Sequence, residues 1–297
     1  MDHALTDAFE VQRRRLSRLA YRMLGSVAEA EDAVQDTWLR WTKASFASQE
    51  DGAAITDPAA WLVRVTTRLC IDRLRAAKVE REHYRGPWLP EPLIESLTVD
   101  PAERAEDVSV AFLLALERLS PLERAVFLLH DVFDEDYAAV ADTLGRSESA
   151  VRQLASRARE HIRDARPRFS VSQEDAARLA TAFMAAAAQG DMAGLSALLA
   201  EDAVLVSDGG GKRKAALRVL VGRADVVRLL EGLVWRNSGT HIQSLRTARI
   251  NGYPGLVVSL ADGLETIAFQ PGDNGLIAAV YMVRNPDKLA HVSETAA

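Results

Sequence analysis

The 297-residue sequence contains one cysteine, Cys70, and only 6% aromatic residues. A single cysteine excludes an intramolecular disulfide framework and an all-thiolate structural zinc site. No apolar run approaches the roughly 20 residues that a membrane-spanning helix needs. The first residues lack the basic and apolar segments of a signal peptide. We therefore expect a cytoplasmic protein with no membrane partner, no metal and no cofactor.

The chain has 48% hydrophobic and 26% charged residues, which is typical of a globular protein of two or three domains. Its net charge of −6 is unevenly spread. Residues 61–85 and residues 146–168 each carry seven Lys or Arg against three Asp or Glu, whereas residues 86–142 carry three against thirteen. Local basic patches attract phosphate even in an acidic chain. The alternative for each patch is a solvated helix face.

Helical periodicity dominates the first part of the chain, over 9–43 with a break near Gly25, over 61–82 and over 105–166. Residues 46–58 are loop-like, and the proline-rich segment 84–101 predicts a linker. Asp57 and Pro58 are suited to the start of a helix. Two helices around Gly190 are then followed by predicted strands at 203–206, 217–221, 241–250, 256–260 and 277–283, with one helix at 224–235. The fold class is therefore multidomain, with all-α domains followed by an α+β domain.

A helix-turn-helix is predicted around Gly145. Small residues in 137–144 allow close helix contact, Gly145 supplies a left-handed turn, and Ser147 caps the next helix. Val151 and Leu154 face inward, and an ordinary helical hairpin is the alternative. In a helix-turn-helix the second helix presents its polar side chains to DNA bases in the major groove. The candidate DNA-binding residues are Arg146, Ser149, Arg152, Gln153, Ser156 and Arg157.

Two earlier helices carry opposite charge. The first, around 29–41, is acidic and bears tryptophan, which favours a protein partner over DNA; a solvated face is the alternative. The second starts near Trp61, which could stack on an unpaired base or lie in the core. Its candidate DNA-binding residues are Trp61, Arg64, Arg68, Arg73, Arg75 and Lys78.

Together these features resemble a bacterial extracytoplasmic-function (ECF) sigma factor of the sigma-70 family, over residues 5–168. The carrying segments are 20–25 (AYRMLG), 29–36 (EAEDAVQD), Trp61-Leu62 with Asp72 and Arg75, and 119–124 (LSPLER). Arg68 departs from the pattern, because many relatives have Asn there. The resemblance implies two all-α sigma domains, 1–85 and 105–168, joined by the linker 86–104.

The resemblance also implies partners. Sigma domain two would bind the clamp helices of core RNA polymerase and capture the melted minus-ten strand of promoter DNA near Trp61. Sigma domain four would bind the polymerase flap through 122–133 and read the minus-thirty-five element through 147–160. The implied polymerase-binding residues are Asp32, Gln35, Asp36, Trp38, Leu122, Arg124 and Phe127.

Three further motifs resemble the signature of an ECF subgroup with a C-terminal SnoaL-like extension, here 172–297, which implies an α+β cone. In this subgroup the extension tunes sigma activity in cis. We expect it to dock on the apolar linker and on domain two. The implied regulatory residues are Trp88, Leu89, Pro90, Glu91 and Pro92, then Asp208, Gly209, Gly210, Gly211 and Lys212, then Asn285, Pro286, Asp287 and Lys288.

Two other functions stay open. One is a ligand-sensing one-component regulator, because a cone can enclose an apolar pocket for an unidentified small ligand. The other is a cyclase or isomerase fused to a DNA-binding module, with Asp208, His241, Asp262 or Glu265 as acid/base groups. No residue pair compels catalysis, so we predict no catalytic residue and a non-enzymatic subunit that directs core polymerase to promoters.

Overall fold

The computed structural model describes residues 3–51, 55–95, 109–163, 173–237, 242–272 and 274–292. Contacts within the chain divide it into two compact units. The helical unit comprises Met1–Glu82 and Ala111–Arg166, and the sheet unit comprises His83–Val110 and Pro167–Ala297. Within the described ranges, no helix is both long and apolar enough to cross a membrane.

The helical unit follows local sequence signals closely. Gly25 adopts a φ of 69° at the predicted break, and Asp57 accepts the Ala60 amide at 2.9 Å where the third helix begins. The second helix runs past the predicted loop start at residue 46, because no proline or glycine interrupts it before residue 52. The helices are α1 His3–Leu24, α2 Val27–Asp51, α3 Pro58–Glu82, α4 Val110–Leu116, α5 Pro121–Phe127, α6 Tyr137–Leu144 and α7 Glu148–Arg163, with a π-helical turn at Leu128–Val132.

Among its described residues, the sheet unit contains three helices and a seven-stranded sheet of order β1-β4-β5-β6-β7-β2-β3. Neighbouring strands are antiparallel except β2 and β7, which are parallel. The helices are α8 Gln173–Gln189, α9 Met192–Leu198 and α10 Arg223–Asn237. The strands are β1 Ile94–Glu95, β2 Leu199–Asp208, β3 Leu220–Val221, β4 Ile242–Ile250, β5 Tyr253–Leu260, β6 Gly263–Pro271 and β7 Ile277–Val283, followed by a 3₁₀ turn at Pro286–Leu289.

The segment after α3 belongs to this sheet, because β1 pairs with β4 through Ile94 opposite Ile250. One face of the sheet packs on the helices, where the rings of Phe183 and Phe269 lie 4.6 Å apart. Pro90 and Tyr281 line a cleft of about 10 Å³ where the proline-rich segment meets strand residues, with room for about one water molecule. The segment therefore packs on the sheet.

Candidate nucleic-acid interface and linker-binding site

The helix-turn-helix forms as predicted. Gly145 ends α6 with φ 63° and ψ 45°, and Ser147 accepts the Ala150 amide at the start of α7. Val151 and Leu154 are buried. The predicted DNA-binding residues in this motif, Arg146, Ser149, Arg152, Gln153, Ser156 and Arg157, are all exposed.

The arginines of α7 differ in their partners. Arg157 lies 3.3 Å from Glu123 at the start of α5, and Arg159 donates to Asp131 at 2.7 Å. Arg152 pairs with Glu148 on its own helix at 2.6 Å and keeps its side chain 58% exposed. Arg157 and Arg159 thus tie the edges of α7 to neighbouring elements, and Arg152 stays on the solvent face.

The candidate DNA-binding residues of α3 lie on different sides of the helix. Trp61, Arg64, Arg68 and Arg75 fall in one stripe at 3.6 residues per turn, and Arg73 lies roughly 150° from its centre. Within that stripe Arg68 donates to the Thr143 carbonyl at 3.3 Å, Arg75 pairs with Asp72, and Trp61 is half-buried 5.4 Å from Trp41. Lys78 is exposed and Arg64 is half-buried.

Arg73 instead joins α3 to α2. It pairs with Asp36 at 2.7 Å and donates to the Glu29 carbonyl. A predicted DNA-binding residue and a predicted polymerase-binding residue therefore bind each other. Helical-wheel geometry alone would have separated Arg73 from the stripe of Trp61.

The other candidates on α2 lie on or near an exposed face. Asp32 and Gln35 are exposed, and the half-buried Trp38 packs on Phe9 at 4.9 Å. Leu39 shares this face at helical spacing and is 57% exposed. Sequence reasoning missed Leu39, although an apolar residue on a charged helix face was the available signal.

The candidates on α5 are largely enclosed. Arg124 is 3% exposed, donates to the Met23 carbonyl at 2.7 Å and pairs with Glu117 at 2.8 Å. Phe127 is buried and Leu122 is half-buried. Because the last carbonyls of a helix have no partner within the helix, Arg124 satisfies one of them at the end of α1.

In the sheet unit, the buried carboxylate of Asp208 binds the linker. Its Oδ1 accepts the Tyr84 hydroxyl at 2.6 Å and the Gly210 amide at 2.9 Å. Its Oδ2 accepts the Leu89 amide at 2.9 Å and the Lys288 ammonium at 2.7 Å. Four donors therefore converge on one carboxylate that has no exposed surface, and two of them come from the linker.

Lys288 completes this site. Its ammonium lies 4.8 Å from the Tyr84 ring centre and 4.2 Å from that of Trp88, and it donates to the Leu89 carbonyl. The residue is 7% exposed. A desolvated ammonium gains most from aromatic rings and from a carboxylate, and Lys288 contacts both. We call Asp208, Lys288, Tyr84, Trp88 and Leu89 the linker clasp.

Asn285 and the glycines hold the clasp in place. Asn285 donates to the Tyr84 hydroxyl at 3.0 Å. Burial, followed by the hydrogen bond to Asp208, raises the pKa of Tyr84 and keeps it a neutral donor. Gly210 has a φ of 60°, and a Cβ there would lie 2.3 Å from Asn285. Gly210 is therefore required both by its backbone conformation and by close approach.

The remaining motif residues surround the clasp. Lys212 pairs with Asp287 on the surface, with side chains 55% and 62% exposed. Gly211 lies close to Arg85, since a Cβ there would be 3.3 Å from that side chain. The carbonyl of Gly209 accepts the amides at 212 and 213. Glu91, Pro90 and Pro92 are buried, and Pro286 is exposed.

Two linker contacts were missed by sequence reasoning. The His291 ring lies 2.9 Å from the Pro92 carbonyl oxygen, and Asn251 accepts the Leu93 amide at 3.1 Å. Asn251 has a φ of 50°, in a turn where its own amide donates to the Leu93 carbonyl. A histidine and an asparagine in isolation carry no sequence signal for such contacts.

The described acid/base candidates are all engaged. Glu265 pairs with Arg284 at 2.9 Å, and burial raises its pKa. Asp262 pairs with Arg213 and Arg284. Asp208 lies in the linker clasp, and His241 lies outside the described residues. Buried apolar side chains of the sheet and of α8, α9 and α10 form one hydrophobic cluster.

Glu123 helps to cap the start of α5, and its contribution to the stability of the helical unit depends on pH. It closes a capping box with Ser120, and burial alone would raise its pKa, but hydrogen bonds from Ser120 and the nearby His161 and Arg157 outweigh burial and lower it. A lowered pKa stabilises the fold above the ordinary value of 4.5 and loses that contribution as pH falls below it.

We therefore expect the difference in melting temperature between wild type and Glu123→Gln to be largest near pH 6 and to shrink below about pH 4.5. Thermal unfolding of both proteins from pH 6 to pH 3 measures this. Glu10→Gln, at an exposed pair with Arg13, is the control and should show little difference at any pH. A constant difference for Glu123→Gln would contradict the expectation.

Comparison with known proteins places these sites in a family. Residues 9–79 match sigma-70 region 2 and residues 109–162 match sigma-70 region 4. The chain is 39% identical over 293 residues to the ECF RNA polymerase sigma factor SigJ of Mycobacterium tuberculosis, covering 94% of this chain and 91% of SigJ. The probable ECF sigma factor SigI of the same species is 37% identical over 190 residues, which covers 62% of this chain and 63% of SigI.

The crystal structure of SigJ aligns with a TM-score of 0.76 at 36% identity, over 96% of this chain and 98% of SigJ. The chain therefore belongs to the sigma-70 family. Within it, the chain is a member of the ECF group of RNA polymerase sigma factors, as the motifs indicated. Sigma factors of this family bind core RNA polymerase and promoter DNA. The fold is likewise as expected: two helical sigma regions precede an α+β domain, the class implied by a SnoaL-like extension.

Proposed function

We propose that the α+β domain of this sigma factor regulates transcription in cis by holding the segment that joins regions 2 and 4. The linker clasp carries this proposal. The held segment follows region 2, which ends at 79, and precedes region 4, which begins at 109. Its capture by Asp208 and Lys288 thus acts on the only covalent connection between the two regions.

The clasp is energetically sensitive to the loss of either member of its ion pair. Breaking a buried, hydrogen-bonded ion pair by removing one partner costs about 3–5 kcal/mol. A preference of a few kcal/mol is enough to shift a two-state equilibrium by orders of magnitude. A change of this size in the clasp would therefore be enough to shift a balance between a docked and a released linker.

Transcription by purified core polymerase with the full-length chain tests this regulation. Trp88→Ala and Asp208→Asn both weaken the clasp, so we expect them to change promoter-directed transcript output several-fold and in the same direction. Lys212→Ala, in the exposed pair beside the clasp, is the matched control and should match wild type. Equal output from all four proteins would contradict regulation by the clasp.

For promoter binding, we propose that the α3 stripe of Trp61, Arg64, Arg68 and Arg75 captures the melted minus-ten strand. The exposed face of α7, with Ser149, Arg152, Gln153 and Ser156, reads the minus-thirty-five element. Arginine-rich faces with an aromatic edge suit single-stranded DNA, and the N-terminal half of a recognition helix suits the major groove.

For polymerase binding, we propose that Asp32, Gln35 and the adjacent Leu39 contact the clamp helices. Contact of the flap with Arg124 and Phe127 requires α5 to move away from α1, because Arg124 is bound to the Met23 carbonyl. From its proposed role as a sigma factor, we expect the protein to co-purify with core polymerase from the cytoplasm. Without core polymerase, it should bind promoter DNA weakly.

We also propose that the chain is not an enzyme and is not a free-standing regulator. The ion pairs and hydrogen bonds that engage Asp208, Asp262 and Glu265 support the first statement. The exposed acidic face of α2 supports the second, since a one-component regulator needs no such surface. Tight binding of duplex promoter by the isolated chain would favour the one-component alternative.

A further inference from the structure

One aromatic residue in the helix-turn-helix, Tyr137, contacts one of the proposed promoter-binding residues and two residues outside that set. Tyr137 is the first residue of α6, and its ring centre lies 3.9 Å from that of His130 in the preceding π-helical turn. The guanidinium carbon of Arg152 lies 5.0 Å from the same ring centre. The Tyr137 hydroxyl also accepts a hydrogen bond from Arg159 at 3.2 Å.

These contacts restrain Arg152 without burying it. Arg152 is the fifth residue of α7, in the half of a recognition helix that reaches base edges. Its side chain is 58% exposed, and one nitrogen is bound to Glu148. A guanidinium has five N–H donors, so enough remain for a bidentate contact. Ordering an arginine before binding reduces the entropy lost when the complex forms.

The residues that contact Tyr137 come from both before and after it in the chain, and they are themselves held in place. Arg159 is fixed by Asp131 at 2.7 Å, and the His130 ring lies 2.6 Å from the Glu135 carbonyl oxygen. The π-helical turn therefore presents His130 to Tyr137, and α7 presents Arg152 and Arg159 to it. A side chain with this many contacts is a fixed platform for Arg152.

We propose that Arg152 determines base specificity by reading one guanine of the minus-thirty-five element, and that Tyr137, supported by His130, is the residue that positions it. This inference rests on the proposed promoter function. Guanine is the base whose O6 and N7 match a bidentate arginine in the major groove. A phosphate contact carries no direct sequence information, so the two roles of Arg152 differ in whether they discriminate between bases.

The test measures base specificity as a ratio of affinities that is obtained from a single preparation of each protein. Full-length chain with core polymerase selects from promoter DNA randomised in the minus-thirty-five element, and the ratio of affinities for guanine and for other bases is read at each position. Such a ratio does not depend on the fraction of folded protein. The variants are Arg152→Ala, Tyr137→Leu and Tyr137→Phe, compared with wild type.

We expect wild type to prefer guanine by about 5- to 150-fold at one position, the range of a good bidentate contact. Arg152→Ala should abolish that preference and leave the other positions unchanged. Tyr137→Leu should weaken it several-fold at the same position, and Tyr137→Phe, which keeps the ring, should retain it.

Other outcomes overturn the proposal. A uniform loss of affinity in Arg152→Ala, with all ratios kept and a shallower salt dependence, would make Arg152 a phosphate contact. Loss of the preference in Tyr137→Phe as well as Tyr137→Leu would remove the role of the ring. A wild-type protein that directs promoter-specific transcription without any guanine preference would overturn this inference alone. A protein that directs no transcription would overturn the proposed function and this inference with it.

Discussion

Lys288→Met is expected to free the linker amide of Leu89 for exchange with solvent. The substitution leaves the Asp208 carboxylate, which has no exposed surface, without its cation. Loss of one partner from a buried ion pair costs about 3–5 kcal/mol. Where the amide exchanges through local opening, this corresponds to exchange at Leu89 that is at least about 100-fold faster. Hydrogen exchange with peptide-level mass spectrometry on the full chain measures it.

Lys212→Met is the matched control for Lys288→Met. Lys212 also pairs with an aspartate, but both side chains are more than half exposed. Exposed ion pairs contribute at most about 1 kcal/mol, so exchange at Leu89 should stay near the wild-type rate. Equal exchange at Leu89 in both variants would show that the buried pair does not hold the linker.

Arg124→Met is expected to destabilise the helical unit by about 1–3 kcal/mol, because it leaves the Met23 carbonyl without its donor and removes one of the two arginines that pair with Glu117. Burial lowers the pKa of Arg124, and Glu117 opposes that shift by pairing with the charged form. Arg81 pairs with the same carboxylate and donates to the Leu24 carbonyl at 3.1 Å. One carboxylate thus joins two arginines at the end of α1.

Hydrogen exchange of the slowest amides in α1 and α3 measures the effect of Arg124→Met. Arg13→Met, at an exposed pair with Glu10, is the control and should leave these amides unchanged. If the exchange rates in Arg124→Met equalled those in Arg13→Met, the contacts of Arg124 with α1 would not contribute to the stability of the helical unit.

Elements with local signals were predictable from the sequence. The break at Gly25, the cap at Asp57 and the left-handed turn at Gly145 each depend on a few neighbouring residues, so they formed where expected. Strand β6 was missed because consecutive residues, Glu265 and Thr266, are both buried, which removes the alternation of a half-exposed strand.

Contacts between residues distant in sequence were predicted only where both residues belong to a recognisable motif. The three regulatory motifs do meet in the linker clasp, but the cation of Lys288 between two aromatic rings was not foreseen. The pairing of Arg73 with Asp36 and the burial of Arg124 follow from helix packing, which composition does not encode. Charge counts treated all three residues as solvent-facing.

The linker contributes strand β1, yet the residues that bind it occur about 120 to 200 positions later in the chain. At 5–20 residues per second, a ribosome needs about 10–40 s to travel from Glu95 to His291. A nascent sigma factor therefore completes region 4, which ends at residue 162, before the linker-binding residues from Asp208 onward have been synthesised. Premature termination between residues 162 and 208 yields a polypeptide that has both sigma regions but lacks Asp208 and Lys288 to bind the linker.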